Sequence, residues 1–175
     1  MAGATPERLE WLREQLAGRV AEDLLAGEIF RPRGAWGDRP LRLRRFAFRH
    51  LGVGGMHPLE RRIGLLNLAA ATPTRLLLFR LRGSRSSIGV DDEIAGWPLA
   101  GLRIRHDRRS AQARHWSAAG TYSAHTSGIV VLRIEPPDEP PLEIDLAAGK
   151  DAAALVAALK TSASEAASGR RPRRA

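Results

Sequence analysis

Apolar residues recur at helical spacing near the start of the chain, at Leu9, Leu12, Leu16, Val20 and Leu24. Thr5-Pro6-Glu7 heads this run. Thr is a capping residue, Pro suits the first helical position, and Glu favours the positive end of the helix dipole. Gly27 offers a stop, so the pattern predicts an amphipathic helix filling residues 1–27. Trp11 and Leu25 fall off the stripe and are assigned to contacts with a neighbouring element.

Past Gly27 the period changes from helical to alternating. Residues 28–36 (EIFRPRGAW) and 41–49 (LRLRRFAFR) read as strands, with Leu41 and Leu43 on one face and Arg42 and Arg44 on the other. The alternation slips at Arg44-Arg45 before Phe46 and Phe48 resume it, as a β-bulge would require. Residues 51–58 (LGVGGMHP) read as a loop; their three Gly lack the Gly-Lys-Ser/Thr of a phosphate cradle. Two short apolar runs follow, 63–71 and 75–81, separated by Thr72-Pro73-Thr74. The residue before Pro is pushed toward extended geometry, so this segment is predicted to be a buried hairpin and not a continuous helix.

Residues 83–89 read as a polar loop, and Asp91-Asp92-Glu93 as a solvated turn. Residues 94–106 are strand-like but broken at Pro98 and Gly101, and 111–116 suggest a short strand. Residues 128–135 and 142–146 are strands flanking the turn-rich Pro136–Pro141 connector. Asp151 is expected to cap a second helix, with Leu155, Val156 and Leu159 as its stripe. One globular domain over 28–161 is therefore predicted, followed by a disordered Ala/Ser/Arg tail over 162–175.

Helix, about seven antiparallel strands, then a helix is an order that resembles the pleckstrin-homology superfold. Three pieces are similar to its bacterial PH-like domains: the hairpin Ala70–Phe79, the segment Trp97-Pro98-Leu99-Ala100-Gly101-Leu102-Arg103-Ile104, and Val131–Asp138 with Leu142–Leu146 and the last helix. The resemblance covers residues 28–160 and implies a mainly β, partly open barrel with a C-terminal capping helix, to which this chain adds an N-terminal helix. It implies no catalytic residues. It also implies a groove between an edge strand and the capping helix, where an extended peptide can add as a strand.

Charge sharpens the question of function. The net charge is +9, carried by 26 Arg and only two Lys, a bias that a high-GC coding sequence produces. Residues 29–90 hold 13 Arg against Asp38 and Glu60, a net +11, while residues 1–28 and 129–169 are acidic. Arg42, Arg44, Arg45, Arg49, Arg61 and Arg62 are the candidate anion- or partner-binding residues of that block. Acidic segments folded against it would neutralise it.

No metal or cofactor is predicted. The chain has no Cys, and His50, His57, His106, His115 and His125 show no His-x-x-x-His spacing. Thr121–Ser127 gathers hydroxyls beside His125, but near neighbours on a strand cannot form a triad, so it reads as a polar loop or strand end. The apolar runs are far shorter than the roughly 20 residues of a membrane span. The acidic N-terminus resembles no secretory signal, and the expectation is a cytoplasmic protein. Two function classes follow. One is a non-catalytic module with a protein partner; the other binds nucleic acid or an anionic membrane through residues 29–90.

Overall fold

Alternating side chains require two covers for a strand that is apolar on both faces, and the central hairpin finds both. The computed structural model describes residues 4–32, 58–64, 66–83, 88–110, 113–116, 122–126 and 128–168. Within them lie helix α1 (Pro6–Leu16), strands β1 (Ala26–Pro32), β2 (Asn67–Ala71), β3 (Arg75–Gly83), β4 (Ile88–Pro98), β5 (Arg103–Arg109), β6 (Ala113–Trp116), β7 (Tyr122–Thr126), β8 (Ile129–Glu135) and β9 (Leu142–Ala147), and helix α2 (Lys150–Ala167). Seven strands form one antiparallel sheet in the order β4-β3-β2-β1-β9-β8-β5, and β6 pairs with β7 separately. The sheet is not closed: among the described residues no ladder joins its end strands, β4 and β5.

One core takes alternate residues from both halves of this sheet. Phe30, Ala69, Leu78, Ile94 and Trp97 meet Leu132, Ile134, Ile144 and Leu146 there, with Leu155 and Leu159 of α2. The opposite face of β1–β3 is covered by α1: Leu12 and Leu16 pack with Ile29, Leu68, Ala70, Leu77 and Phe79. This double burial is why β2 and β3 read as nearly continuous apolar runs. Their turn forms as predicted, with the Thr72 hydroxyl oxygen accepting the Arg75 N–H at 2.9 Å and the Thr74 N–H at 3.4 Å.

Several predicted boundaries move, each for a local reason. Helix α1 ends at Leu16, not near Gly27, because Gly18 takes a left-handed φ of +74° and turns the chain away. Leu24 still reaches the same apolar cluster, from a non-helical segment. Gly27 lies in β1 and permits the close approach of α1: a Cβ there would sit 2.8 Å from Leu12 Cδ1 and 3.1 Å from the Ala69 carbonyl oxygen. At the other end, α2 continues past residue 161 to Ala167, and Ser162 is buried one turn beyond Leu159. The Ala-rich composition that suggested a tail also has high helix propensity. Asp91-Asp92-Glu93 is strand, not turn, because it lies in β4 opposite the Arg residues of β3. Residues 122–126 are likewise strand, paired with β6. The predicted strand over 41–49, its bulge, the loop over 51–57 and the end of the tail lie outside the described residues.

Asp151 does not cap its own helix; the N-cap is Gly149. Its Oδ1 instead accepts the Thr5 N–H at 2.9 Å and the Thr5 hydroxyl at 3.1 Å, which fastens α1 to α2. Arg8 strengthens that joint. Its guanidinium, 0% exposed, lies 3.5 Å from Glu28 and 3.6 Å from Asp151, and 5.5 Å over the Trp11 ring. The space for this cluster comes from sheet geometry, since β1 pairs with β9 only from Phe30 onward. Ahead of that point Ile29 N–H has no β9 partner, and the Glu28 carboxylate accepts it at 2.7 Å. No helix among the described residues is long and apolar enough to cross a membrane.

Candidate functional site

Of the six Arg residues singled out from sequence, Arg42, Arg44, Arg45 and Arg49 lie outside the described residues. Arg61 closes a short 3-10 turn, Pro58–Arg61. Arg62 follows it, exposed, and donates from Nη2 to the Glu93 carbonyl oxygen at 2.9 Å. The described remainder of the basic block is largely engaged. Arg80 pairs with Asp91 and Asp92, Arg82 with Asp91 at 3.0 Å, and Arg75 with Glu93 at 3.7 Å. These are cross-strand pairs between β3 and β4 on an exposed surface, so each contributes little stability. Their effect on charge is larger: the acids of β4 neutralise the Arg side chains of β3 locally. The neutralising carboxylates come mainly from the neighbouring strand and not from the acidic helices. Glu22 of the N-terminal segment is an exception, accepting the Thr74 hydroxyl at 2.7 Å. Burial pushes its carboxyl up, but hydrogen bonds from Thr72 and Thr74 and the charge of Arg75 outweigh this and hold it below its usual value.

A second basic cluster stands at the other end of the sheet. Strand β5 reads Arg103-Ile104-Arg105-His106-Asp107-Arg108-Arg109, and every residue but Ile104 is exposed. Among the described residues β5 is hydrogen-bonded to β8 alone, so its second edge carries backbone N–H and C=O groups with no partner strand. Two features set its position. Gly101, at φ +83°, and the Leu102 N–H to Leu99 carbonyl bond of 3.2 Å turn the chain sharply out of β4. Ile104, opposite Ile134, then anchors the strand on the core.

Register assigns the faces of β5. Ile104, His106 and Arg108 stand opposite the core residues Ile134, Leu132 and Val130. His106 and Arg108 are nevertheless exposed, so the core-side surface of β5 is uncovered beyond Ile104. Arg103, Arg105, Asp107 and Arg109 take the opposite face, beside Glu135 and Arg133. Helix α2 reaches β5, whereas α1 lies over β1–β4 and leaves the β5 edge clear.

The acids near β5 are divided among several Arg residues. Glu135 accepts from Arg133 Nε at 2.7 Å and lies 3.8 Å from Arg105 Nε, while Glu143 lies 3.3 Å from Arg133 Nη1. Asp107 is 3.6 Å from Arg109. Neither Arg103 nor Arg108 has an ion pair or hydrogen bond to a side chain among the described residues. Sequence reasoning passed over this cluster because residues 91–128 sum to only +1. Asp91–Glu93 cancel the β5 charges in that sum, although they belong to the opposite end of the sheet. The usable signal was four Arg within the seven residues of one alternating strand.

Among the described residues no three His, Asp or Glu side chains converge as metal ligands. His106 stands on β5, and His115 and His125 lie on the β6–β7 hairpin. His50 and His57 lie outside the described residues. No protein-family model matches the chain, and no curated protein matches it.

Proposed function

We propose that this chain is a non-catalytic, PH-like binding module whose partner is a protein, and that it takes an extended segment of that partner as an added strand on β5. The observation that carries the reading is the β5 edge: a seven-residue strand bonded on one side only among the described residues, exposed, and clear of α1. Backbone groups at such an edge supply affinity to an incoming strand, and alternate side chains supply selectivity. The strand order, with β1 at the centre of a bent seven-stranded sheet and α2 against its core, supports the PH-like resemblance.

The alternative is binding of nucleic acid or an anionic membrane through residues 29–90; of that block Arg75, Arg80 and Arg82 pair with the acids of β4, while Arg42, Arg44, Arg45 and Arg49 lie outside the described residues. The test is a library of extended peptides selected against the full chain, with bound peptides mapped by amide hydrogen exchange. Protection concentrated on residues 103–109 is expected. Selected peptides that protect β4 or the surface of α1 instead would refute strand addition at β5.

A further inference from the structure

We infer that the segment β5 accepts is acidic, with carboxylates placed to face Arg103, Arg105 and Arg108; this rests on the strand-addition reading and specifies its partner. The β5 surface is deficient in negative charge. Arg103, Arg105 and Arg109, with the adjoining Arg133, share one face with Asp107, Glu135 and Glu143, and Arg108 stands on the other face. The deficit is also placed in register. Arg105 stands directly opposite Arg133, an unfavourable like-charge pair across a ladder. The carboxylate that could separate them, Glu135, sits at 2.7 Å from Arg133 and only 3.8 Å from Arg105, whose side chain is 72% exposed. Arg103 and Arg108 have no charged partner among the described residues.

An added strand would lie about 4.8 Å from β5, with facing Cβ atoms about 5 Å apart. Carboxylates two residues apart on that strand would meet Arg103 and Arg105 on one face, and one three positions beyond the second would meet Arg108 on the other. A carboxylate at Arg105 also relieves its opposition to Arg133. The same arrangement disfavours a second copy of β5 in parallel, in-register pairing, which would set each of the four Arg residues against its own copy. It rejects basic segments for the same reason. Charge on the edge therefore selects a partner.

The experiment measures binding of the full chain to labelled nine-residue peptides that share a Thr/Val framework. They carry Glu, Ser or Lys at the three positions that would face Arg103, Arg105 and Arg108, and a DNA duplex of 20 base pairs is run beside them. Amide exchange reports the site. The Glu peptide should bind about tenfold or more tighter than the Ser peptide, from a few exposed pairs of modest strength each. The gain should shrink on raising salt from 50 to 500 mM. It should also fall severalfold in the variant Arg103→Ser/Arg108→Ser, while Arg13→Ser, on the exposed part of α1, leaves it unchanged. Arg103 and Arg108 hold no other described element, and a thermal melt checks that the variant is folded.

Equal binding of Glu and Ser peptides, both protecting β5, would overturn the acidic preference and leave strand addition standing. Tight binding of peptides without protection of β5, or no binding by any peptide, would overturn strand addition and this inference with it. Duplex binding tighter than the Glu peptide and lost in the same variant would also overturn it, in favour of a nucleic-acid surface. An Arg103→Ser/Arg108→Ser protein that self-associates although the wild type binds no peptide would reduce these side chains to guards of an open edge.

Discussion

Replacing Arg8 with Met tests the joint that holds α1 and α2 to the sheet. The guanidinium is fully buried, 3.5 Å from Glu28, 3.6 Å from Asp151 and 5.5 Å from the Trp11 centroid. Met fills much of its volume but leaves two buried carboxylates without their shared cation. Removing one partner from a buried ionic cluster costs about 3–5 kcal/mol. Both carboxylates keep other donors: Glu28 retains the Ile29 N–H at 2.7 Å, and Asp151 retains the N–H and hydroxyl of Thr5. That places the expected loss at the low end, about 3 kcal/mol.

Urea denaturation of the full chain reads the effect, provided the slope m is unchanged. Adding Glu28→Gln to Arg8→Met removes one stranded charge and should recover part of the loss, with a coupling of about 1–3 kcal/mol for groups in direct contact. Arg13→Met, on the exposed part of α1, should leave the midpoint where it is. An Arg8→Met protein within 1 kcal/mol of wild type, to be judged against the ~3 kcal/mol expected, would refute the assignment of Arg8 as the cation of this joint. Equal losses with and without Glu28→Gln would show that packing, and not charge, sets the cost.

Three further outcomes follow from the fold. Gly27→Ala should destabilise by about 1–3 kcal/mol through overpacking against Leu12, measured by chemical denaturation, and should cost less when Leu12 is trimmed to Val. Thr72→Ala should cost about 1–2 kcal/mol by removing the acceptor for the Thr74 and Arg75 amides, while Thr72→Ser keeps most of the stability. Glu22→Gln should lower the melting temperature at neutral pH. Because the Glu22 carboxyl is held below its usual value, its contribution is present above that value and lost as pH falls through the depressed one. The two proteins should therefore converge on acidification, and a gap that persists or widens at low pH would contradict this.

Much of the secondary structure was legible because local chemistry decides it. Pro73 keeps Thr72 out of helical geometry and the Thr72 hydroxyl closes the turn, and the alternation of residues 128–135 leaves few options but a strand. The failures share a cause. Val20 and Leu24 continue a helical spacing, but Gly18 ends α1 before them, and one residue's backbone freedom outweighs a pattern of apolar spacing. Asp91-Asp92-Glu93 has the composition of a turn and becomes strand because Arg75, Arg80 and Arg82 are brought alongside. Asp151 has the residue type of a cap, yet its oxygen is claimed by Thr5, 146 positions away in sequence.

The sequence by itself determined a mainly β chain with a helix near each end, a buried hairpin and a strongly uneven charge. Periodicity and turn chemistry act within a few residues, so they survive without a fold. Only the tertiary structure decided which charges matter. Coulomb interactions depend on distance in space, and folding brings residues 75–82 against 91–93 while sending 103–109 to the opposite end of the sheet. The basic block read from residues 29–90 is thus partly neutralised by its neighbour. The segment that summed to almost nothing carries Arg103 and Arg108, which are exposed and have no ion pair among the described residues.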